Sequence, residues 1–241
     1  MTPEQLHGFR EEGFFVWQDC LSSSDVDAAR VACDEWDADH EKSLASSIQE
    51  GISRVGEIAF TAHLAEKTPT LSRLITLPPF VDIVTTLIGD DVSLYWDQSV
   101  YKRSETAREF PWHQDNGYTP IIPDEYVTCW IPLEDVTLDM GPVWVLPKSH
   151  TKGPVEHRQT PWGQQCYFGP ESGQPVPVQK GSMIVFSSLL FHRSSANVSP
   201  KTRRAYIVQY CSAQARHKDT QEPFNRPVVI SKGVAVSLRQ P

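Results

Sequence analysis

The length, composition and charge of the chain narrow the classes of protein that it can form. Its 241 residues, 39% hydrophobic and 22% charged, fit one large globular domain. The formal net charge of −8 argues against a nucleic-acid partner, because duplex binding relies on Lys and Arg to neutralise phosphates. The five cysteines include no CxxC pair, which indicates free thiols rather than a zinc site.

The first residues and the apolar runs give an expectation for location. The opening MTPEQLHGFREEGFF has neither a basic n-region nor an apolar h-region, so the sequence predicts no signal peptide. The longest apolar runs are shorter than a membrane span. We therefore expect a cytoplasmic protein that acts on a small molecule and binds neither nucleic acid nor membrane. The sequence leaves the oligomeric state open.

Residues 1 to about 90 have the features of a mostly helical region. Thr2 can cap a first short helix that Gly13 ends, because a hydroxyl accepts a bond from a free N–H and glycine tolerates a left-handed turn. The apolar residues 14–17 then predict a short β segment. Three serines before Asp25 indicate the start of a second helix.

A polar loop is expected over about 43–57, and two more helices follow it. These helices, 70–77 and 80–88, are predicted to be separated by Pro78 and Pro79, because proline lacks the N–H that a helix interior needs and clashes with the preceding turn. The N-terminal part of the chain is therefore expected to supply helices that pack outside the rest of the fold.

From about residue 91 the pattern changes to short β-strands separated by turns that contain proline and glycine. The predicted strands are 92–101, 126–133, 143–146, 182–187 and 204–211. Helices followed by many short strands indicate an α+β protein. We predict one domain over 1–241, in which helices from about 1–90 pack outside a β-barrel or double-sheet jelly roll formed by about 91–215.

The first candidate for chemistry is the pair His113 and Asp115 in PWHQDNGY. Two residues at positions i and i+2 of a strand face the same side, so both side chains could reach one metal ion. An imidazole and a carboxylate suit a divalent transition metal. An isolated HxD pair is nevertheless a weak signal, because such pairs also arise by chance on protein surfaces.

Two later residues strengthen this signal. His192 ends an apolar strand, and Arg203 opens the strand RRAYIVQYC. Alone, His192 would be interpreted as a core histidine and Arg203 as a surface arginine. Arg204 faces the opposite side from Arg203, so only one of the two can face the barrel interior. Two histidines and a carboxylate leave open positions on iron for a 2-oxo acid and O2, and a buried arginine can bind the far carboxylate.

The stretch from about 92 to 211 resembles the phytanoyl-CoA dioxygenase family, a branch of the iron(II)- and 2-oxoglutarate-dependent oxygenases. The N-terminal segment GFFVWQDCLSSSDVDAAR is similar to the opening of that family. The other segments that carry the resemblance are WHQDNGY at 112–118, VTCWIPLED at 127–135, DMGPVWVLPKSH at 139–150, KGSMIVFSSLLFHRSS and RRAYIVQY. The resemblance implies a mainly β core, a cupin-like double-stranded β-helix with flanking helices.

The same resemblance implies a site and a reaction. The implied roles are iron binding and catalysis for His113, Asp115 and His192, and 2-oxoglutarate binding for Arg203, Gln98 and Trp130. The expected cofactor and co-substrates are Fe(II), 2-oxoglutarate and O2. The expected enzyme is a 2-oxoglutarate-dependent dioxygenase, a hydroxylase that oxidises an unactivated C–H bond and releases succinate and CO2.

Residues around the HxD pair are candidates for the substrate pocket, although aromatic residues in a barrel often serve only as packing. These candidates are Tyr101, Trp112, Asn116 and Tyr118. The loop over 153–175 is either a mobile lid or plain surface. The acidic net charge favours a small polar metabolite, an amino-acid derivative or a natural-product intermediate over a CoA thioester.

A second interpretation of the sequence stays open. A cupin-type metal-dependent protein, or a jelly-roll protein that binds a ligand without turnover, would keep the metal ligands but would not use 2-oxoglutarate. Arg203 would then be dispensable for function. The two interpretations therefore differ in the role of this one arginine.

Overall fold

A computed structural model describes residues 1–46, 53–104 and 106–238 of the chain. The helices are α1 Pro3–Glu12, α2 Ser23–Ser46, α3 Pro69–Leu74 and α4 Pro78–Leu87. The strands are β1 Phe14–Trp17, β2 Ile58–Ala62, β3 Val92–Lys102, β4 Phe110–His113, β5 Ile121–Ile122, β6 Val127–Pro132, β7 Val143–Val145, β8 Arg158–Thr160, β9 Gly163–Gln165, β10 Gln174–Val176, β11 Met183–Ser187, β12 His192–Ser194, β13 Arg203–Ser212, β14 Arg216–His217, β15 Val228–Ser231 and β16 Val234–Ala235. Within the described part, no helix has the combined length and apolarity needed to span a bilayer.

Capping residues fix the first two helices as the sequence predicts. The Thr2 hydroxyl accepts a hydrogen bond from the Gln5 backbone N–H at 3.2 Å, and the Gln5 side chain accepts one from the Thr2 N–H at 2.8 Å. Gly13, at φ +87°, ends α1 and leads directly into β1. The Ser22 hydroxyl accepts a bond from the Asp25 N–H at the start of α2. These local predictions are confirmed.

Two other parts of the N-terminal region differ from expectation. Pro78 and Pro79 lie in the first turn of α4, where a helix leaves its N–H groups unpaired, so they begin this helix. The polar loop expected over about 43–57 is shorter at its start, because α2 continues to Ser46. Residues 47–52 of that loop lie outside the described residues. Strand β2, which the sequence analysis does not predict, follows the loop.

The larger sheet is antiparallel and contains most of the predicted strands. Its order over the described residues is β1-β11-β6-β13-β3-β15-β16, and β2 also pairs with β3. The predicted strands 92–101, 126–133, 182–187 and 204–211 correspond to β3, β6, β11 and β13. Strands β1 and β2 join this sheet from the N-terminal region, and β15 and β16 join it from beyond residue 215.

The smaller sheet faces the larger one across a shared cavity. Its order is β10-β7-β12-β4. Phe110 and His192 from the smaller sheet line the same cavity as Trp130 and Ile207 from the larger sheet. The helices pack on the outer side of the larger sheet, so the predicted mainly β, jelly-roll core with flanking helices is confirmed.

Strand alternation on β13 separates the cavity from the helix-covered core. Arg203 and Gln209 face the cavity. Tyr206 and Val208 face the opposite way and belong to the core that Phe80 of α4 also joins. Burial of a large apolar side chain such as Phe80 contributes about 1.5–3 kcal/mol to the free energy of unfolding. Packing of the helices therefore stabilises the sheet that lines the cavity.

A buried carboxylate ties β3 to the segment that follows β2. Asp97 is fully buried, and its Oδ2 accepts hydrogen bonds from the backbone N–H groups of Leu64 and Ala65 at 2.8 and 2.9 Å. The Tyr206 hydroxyl donates a third bond at 2.8 Å. Because β2 and β3 both line the cavity, this carboxylate also positions one cavity wall.

Replacement of Asp97 by alanine is expected to destabilise the protein. The substitution leaves three buried donors without an acceptor, so the free energy of unfolding should fall by about 3 kcal/mol. Urea unfolding followed by circular dichroism measures the change. The matched control is Asp219→Ala at an exposed position, which should change the stability by less than about 0.5 kcal/mol. Equal stability of the two variants would contradict the role given to Asp97.

Candidate metal centre

Strand pairing in the smaller sheet brings the two histidines together. His192 opens β12 and pairs directly with His113 at the end of β4. Their ring centroids lie 4.1 Å apart. The expectation that His192 ends the preceding apolar strand is wrong, because β11 ends at Ser187 and a turn separates it from β12. The proximity of the two rings therefore results from cross-strand register.

Asp115 reaches the histidines from a turn and not from a strand. Strand β4 ends at His113, and Asp115 opens a 3-10 turn over Asp115–Gly117. The prediction that His113 and Asp115 meet because they lie at positions i and i+2 of one strand is therefore wrong. The change of backbone direction after His113 turns the carboxylate back towards the imidazoles.

The three side chains converge on one point. Asp115 Oδ1 lies 3.7 Å from His113 Nε2 and 3.4 Å from His192 Nε2. One potential ligand atom from each residue lies within 4.8 Å of the others, and the three residues are nearly buried. Two nitrogens and one oxygen on one side of a shared point form a facial set that leaves the opposite side open to other ligands.

Backbone carbonyls fix the orientation of both imidazoles. His113 Nδ1 lies 2.9 Å from the Pro111 carbonyl oxygen, and His192 Nδ1 lies 3.0 Å from the Leu190 carbonyl oxygen. Since a carbonyl only accepts, each Nδ1 carries the hydrogen and donates it. In its neutral form each imidazole therefore presents the Nε2 lone pair to the shared point, and metal binding displaces any proton held there.

Two polar side chains hold the other carboxylate oxygen. Thr128 Oγ1 donates to Asp115 Oδ2 at 2.6 Å, and Gln209 Nε2 donates to the same oxygen at 2.8 Å. Oδ1 is left directed at the two Nε2 atoms. Neither residue is predicted from the sequence, although Gln209 shares the face of β13 with Arg203 and strand alternation indicates it.

Burial and mutual charge shift the pKa values of the three groups. Burial and the nearby His192 lower the pKa of His113 to about 3. Burial alone would raise the pKa of Asp115, but His192 and His113 outweigh it and lower this pKa to about 2. Burial would also lower the pKa of His192, which the Asp115 carboxylate raises instead. Asp115 is thus ionised at neutral pH, as a cation ligand must be.

A buried arginine lies in the same cavity. Arg203 is 2% exposed and lines the cavity with the three converging residues. Burial lowers the pKa of its guanidinium to about 10, so the group is still charged at neutral pH. Within the described residues it has no ion-pair partner, and its Nε has no hydrogen-bond acceptor. Arg204 faces the other way and pairs with Asp34 and Glu134.

The two residues predicted to lie beside a 2-oxo acid also line the cavity. The Trp130 ring lies 5.5 Å below the Arg203 guanidinium. Gln98 faces the cavity from β3, where its Oε1 accepts a hydrogen bond from Trp96 Nε1 at 3.1 Å. The cavity thus brings together the predicted ligand set, Arg203, Trp130 and Gln98.

The predicted substrate contacts divide into one residue that lines the cavity and three that do not. Tyr118 stands at the mouth, 40% exposed, with its ring 5.7 Å from the His113 ring. Tyr101 faces the opposite side of β3, where its hydroxyl donates to Asp34 at 2.7 Å. The prediction for Tyr101 is wrong, because strand alternation turns it into the helix-covered core.

Trp112 and Asn116 also lie outside the cavity lining. Trp112 precedes His113 on β4 and faces the other side of the strand, where its ring lies 6.1 Å from the Tyr167 ring. Asn116 is 2% exposed within the turn that begins at Asp115. These two residues therefore do not line the cavity with the metal ligands, since proximity in sequence does not place a side chain on the same face.

The segment over 153–175 contains a hairpin beside the cavity mouth. Strands β8 and β9 pair over Arg158–Gln165, and the Gln164 N–H donates to the Tyr118 hydroxyl at 3.3 Å. Gly163 adopts φ +120°, and a side chain there would lie 2.9 Å from the Phe110 ring. The hairpin therefore packs closely on two residues that line the cavity.

The sequence matches a known protein family over most of its length. Residues 9–205 match the family described as Phytanoyl-CoA dioxygenase (PhyH). The chain belongs to the phytanoyl-CoA dioxygenase family. Members of this family are iron- and 2-oxoglutarate-dependent oxygenases, so the predicted family and class of enzyme are confirmed.

Two relatives and one solved structure are similar to this chain along nearly its whole length. Peroxisomal phytanoyl-CoA dioxygenase of Bos taurus is 24% identical over 254 residues, covering 95% of this chain and 75% of the relative. Ectoine dioxygenase of Sphingopyxis alaskensis is 25% identical over 267 residues, covering 99% and 86%. The crystal structure of the non-heme alpha ketoglutarate-dependent carbocyclase SnoK from nogalamycin biosynthesis superposes with a TM-score of 0.74 at 24% identity, covering 95% and 96%.

Substitution of Gln209 by alanine is expected to weaken metal binding. Asp115 Oδ2 would lose one of its two side-chain donors, so the carboxylate would be held less firmly against the histidines. The affinity for Fe(II), measured by competition with a chromophoric chelator under anaerobic conditions, should fall about 10-fold. The control is Gln179→Ala, at an exposed position outside the cavity, which should bind iron as the unaltered protein does. Equal affinities for both variants would contradict this role of Gln209.

Proposed function

We propose that His113, Asp115 and His192 hold iron(II), and that Arg203 binds the distal carboxylate of 2-oxoglutarate. The observation that carries the proposal is the buried, charged guanidinium without an ion-pair partner among the described residues. A buried charge is costly unless it is paired. A dicarboxylate co-substrate would supply that partner and would reach the metal with its other end.

The donor set fits a ferrous ion. In their neutral forms both imidazoles would offer an Nε2 lone pair, and Asp115 would supply one anionic oxygen. Two histidines and one carboxylate with open positions are the arrangement that non-haem iron(II) oxygenases use. When bound, iron(II) supplies the coordination chemistry that couples O2 to the oxidative decarboxylation of 2-oxoglutarate.

The protein's own residues orient the reactants and exclude water. Arg203 can donate two parallel hydrogen bonds to a carboxylate, which fixes both the position and the direction of the co-substrate. Trp130 lies beneath the guanidinium, and Gln98 presents an amide to the same space. The cavity, about 360 Å³ in volume, is mostly apolar, so a substrate that fills it would displace water from the reacting groups.

The reaction that this arrangement supports is oxidation of an unactivated C–H bond of a small molecule, with release of succinate and CO2. The substrate is expected to be a small metabolite or a natural-product intermediate. A cytoplasmic location, and the lack of nucleic-acid and membrane partners, stay predictions from the sequence. Of the four substrate contacts that the sequence predicts, Tyr118 is the one that lines the cavity.

The alternative is a cupin-type metal-dependent or ligand-binding protein that does not use 2-oxoglutarate. Such a protein has no need for a charged group at the buried end of its cavity. The burial of Arg203 without an ion-pair partner in the part of the chain that the structure describes therefore favours the oxygenase.

Replacement of Arg203 by alanine tests the proposal. Removing one side of a buried charge pair should raise the KM for 2-oxoglutarate on the order of 100-fold, while iron still binds. Succinate formation by the iron-loaded protein, measured against 2-oxoglutarate concentration, gives this KM. Iron affinity is measured on the same variant with a chelator competition assay.

Arg204→Ala is the matched control, because the neighbouring arginine faces the outer side of the same strand. It should leave the KM for 2-oxoglutarate within about 2-fold of the original value. An unchanged KM in Arg203→Ala would support the alternative protein class instead.

A further inference from the structure

The cavity has a buried end and an open mouth that differ in chemistry. Arg203 is 2% exposed and marks the buried end, whereas Tyr118 is 40% exposed and marks the mouth. Phe110 and His113 lie at the two ends of β4, and their ring centroids are 4.9 Å apart. Phe60 of β2 lies 5.6 Å from Phe110. Phe60 and Phe110 thus place aromatic rings in the cavity beside the ligand set.

A β-bulge adds two further rings. Gln209 of β13 pairs with Trp96 of β3, but Tyr210 pairs with Leu94, so Tyr95 is an extra residue in β3. An extra residue interrupts the strict alternation of sides. Both Tyr95 and Trp96 therefore line the cavity.

These five rings form one lining, which we call the aromatic wall. The aromatic wall consists of Phe60, Tyr95, Trp96, Phe110 and Tyr118. Aromatic side chains bury large apolar areas and pack favourably on other rings at centroid distances of about 4.5–7 Å. The wall is therefore suited to apolar and aromatic surfaces.

The charged groups of the cavity are already engaged. Apart from tyrosines, the ionisable side chains among the described lining residues are His113, Asp115, His192, Arg193 and Arg203. The first three form the candidate metal centre. Under the proposed function, Arg203 is neutralised by 2-oxoglutarate. Only Arg193 is left as a possible partner for a charged substrate.

Arg193 is held on the outer side of the smaller sheet. Its guanidinium binds Glu109 at 2.8 Å. It also lies over the rings of Trp112 and Trp144, at 5.3 and 4.7 Å from their centroids. Neither ring lines the cavity, so the charged end of Arg193 points away from it. Within the described lining no charge is left to neutralise an ionic group on a substrate.

We infer that the part of the substrate that enters this cavity is an uncharged, largely apolar ring system that packs against the aromatic wall. The inference rests on the proposed function. An ionic head group would be buried without a partner at a large cost in free energy. The Thr119 hydroxyl and the Gln98 amide can serve an uncharged hydroxyl or carbonyl group on the ring. Of the substrates expected from the sequence, this inference favours a natural-product intermediate over a small polar metabolite or an amino-acid derivative.

The test uses three probes that share one ring and differ in charge. 2-Naphthalenemethanol is uncharged, 2-naphthoate is an anion, and 2-naphthylmethylammonium is a cation. Each is equilibrated by anaerobic dialysis with the full chain loaded with Fe(II) and radiolabelled 2-oxoglutarate. We expect the alcohol to bind at least about 10-fold more tightly than either ion.

A pair of phenylalanine variants locates the binding. Phe110→Ala removes one ring of the aromatic wall and should weaken binding of 2-naphthalenemethanol by about 10-fold. The matched control is Phe168→Ala, because Phe168 is 61% exposed and lies outside the cavity lining. This control should leave the dissociation constant of the alcohol unchanged.

Several results would overturn the inference. They are equal or tighter binding of either ion, failure of the alcohol to bind, and equal loss of binding in the two phenylalanine variants. The radiolabelled 2-oxoglutarate that the protein retains is counted in the same dialysis chambers. Its retention together with tight binding of an ion would refute only the substrate class. Failure to retain 2-oxoglutarate while the alcohol still binds preferentially would refute the proposed function and leave the aromatic wall supported.

Discussion

The register between β4 and β12 is the constraint on which the site depends. It sets His192 of β12 directly opposite His113 of β4. On its other side β12 pairs with β7, where His192 lies opposite Val145. Because side chains alternate along a strand, a shift of one residue would turn His192 to the other face of the sheet. Asp115 completes the set only because the chain leaves β4 in a 3-10 turn immediately after the first histidine. The metal centre is therefore a product of sheet pairing and one local turn.

A second constraint is the sharp difference between the two faces of the larger sheet. One face is covered by helices and is packed with tyrosine and aliphatic side chains, while the other faces a cavity. Arg203 and Arg204 are neighbours in the chain, yet among the described residues Arg203 is buried without an ion pair while Arg204 pairs with two carboxylates. This division places the Arg203 guanidinium in a mostly apolar cavity, where a cation without an ion pair among the described residues becomes selective for an anionic co-substrate.

The sequence predicts those features that depend on local pattern. Helix caps at Thr2 and Gly13 and the long strands β3 and β13 follow from neighbouring residues, and the structure agrees with them. The spaced His113, Asp115, His192 and Arg203 are found through motif and family resemblance.

Features that depend on long-range pairing could not be predicted in this way. Strand β2 is recognisable only through its partner β3, and the bulge at Tyr95 only through the register with β13. The same cause explains why Tyr101 and Trp112 do not line the cavity with the metal ligands. Their closeness in sequence to the ligands says nothing about which face of a strand they occupy.

The most direct test of this account is anomalous diffraction at the iron edge from crystals grown anaerobically with Fe(II) and 2-oxoglutarate. The account predicts one iron peak bound by His113 Nε2, His192 Nε2 and Asp115 Oδ1, with the far carboxylate of 2-oxoglutarate on the Arg203 guanidinium. An iron peak away from these three atoms, or a 2-oxoglutarate carboxylate bound elsewhere while Arg203 stays unpaired, would contradict it.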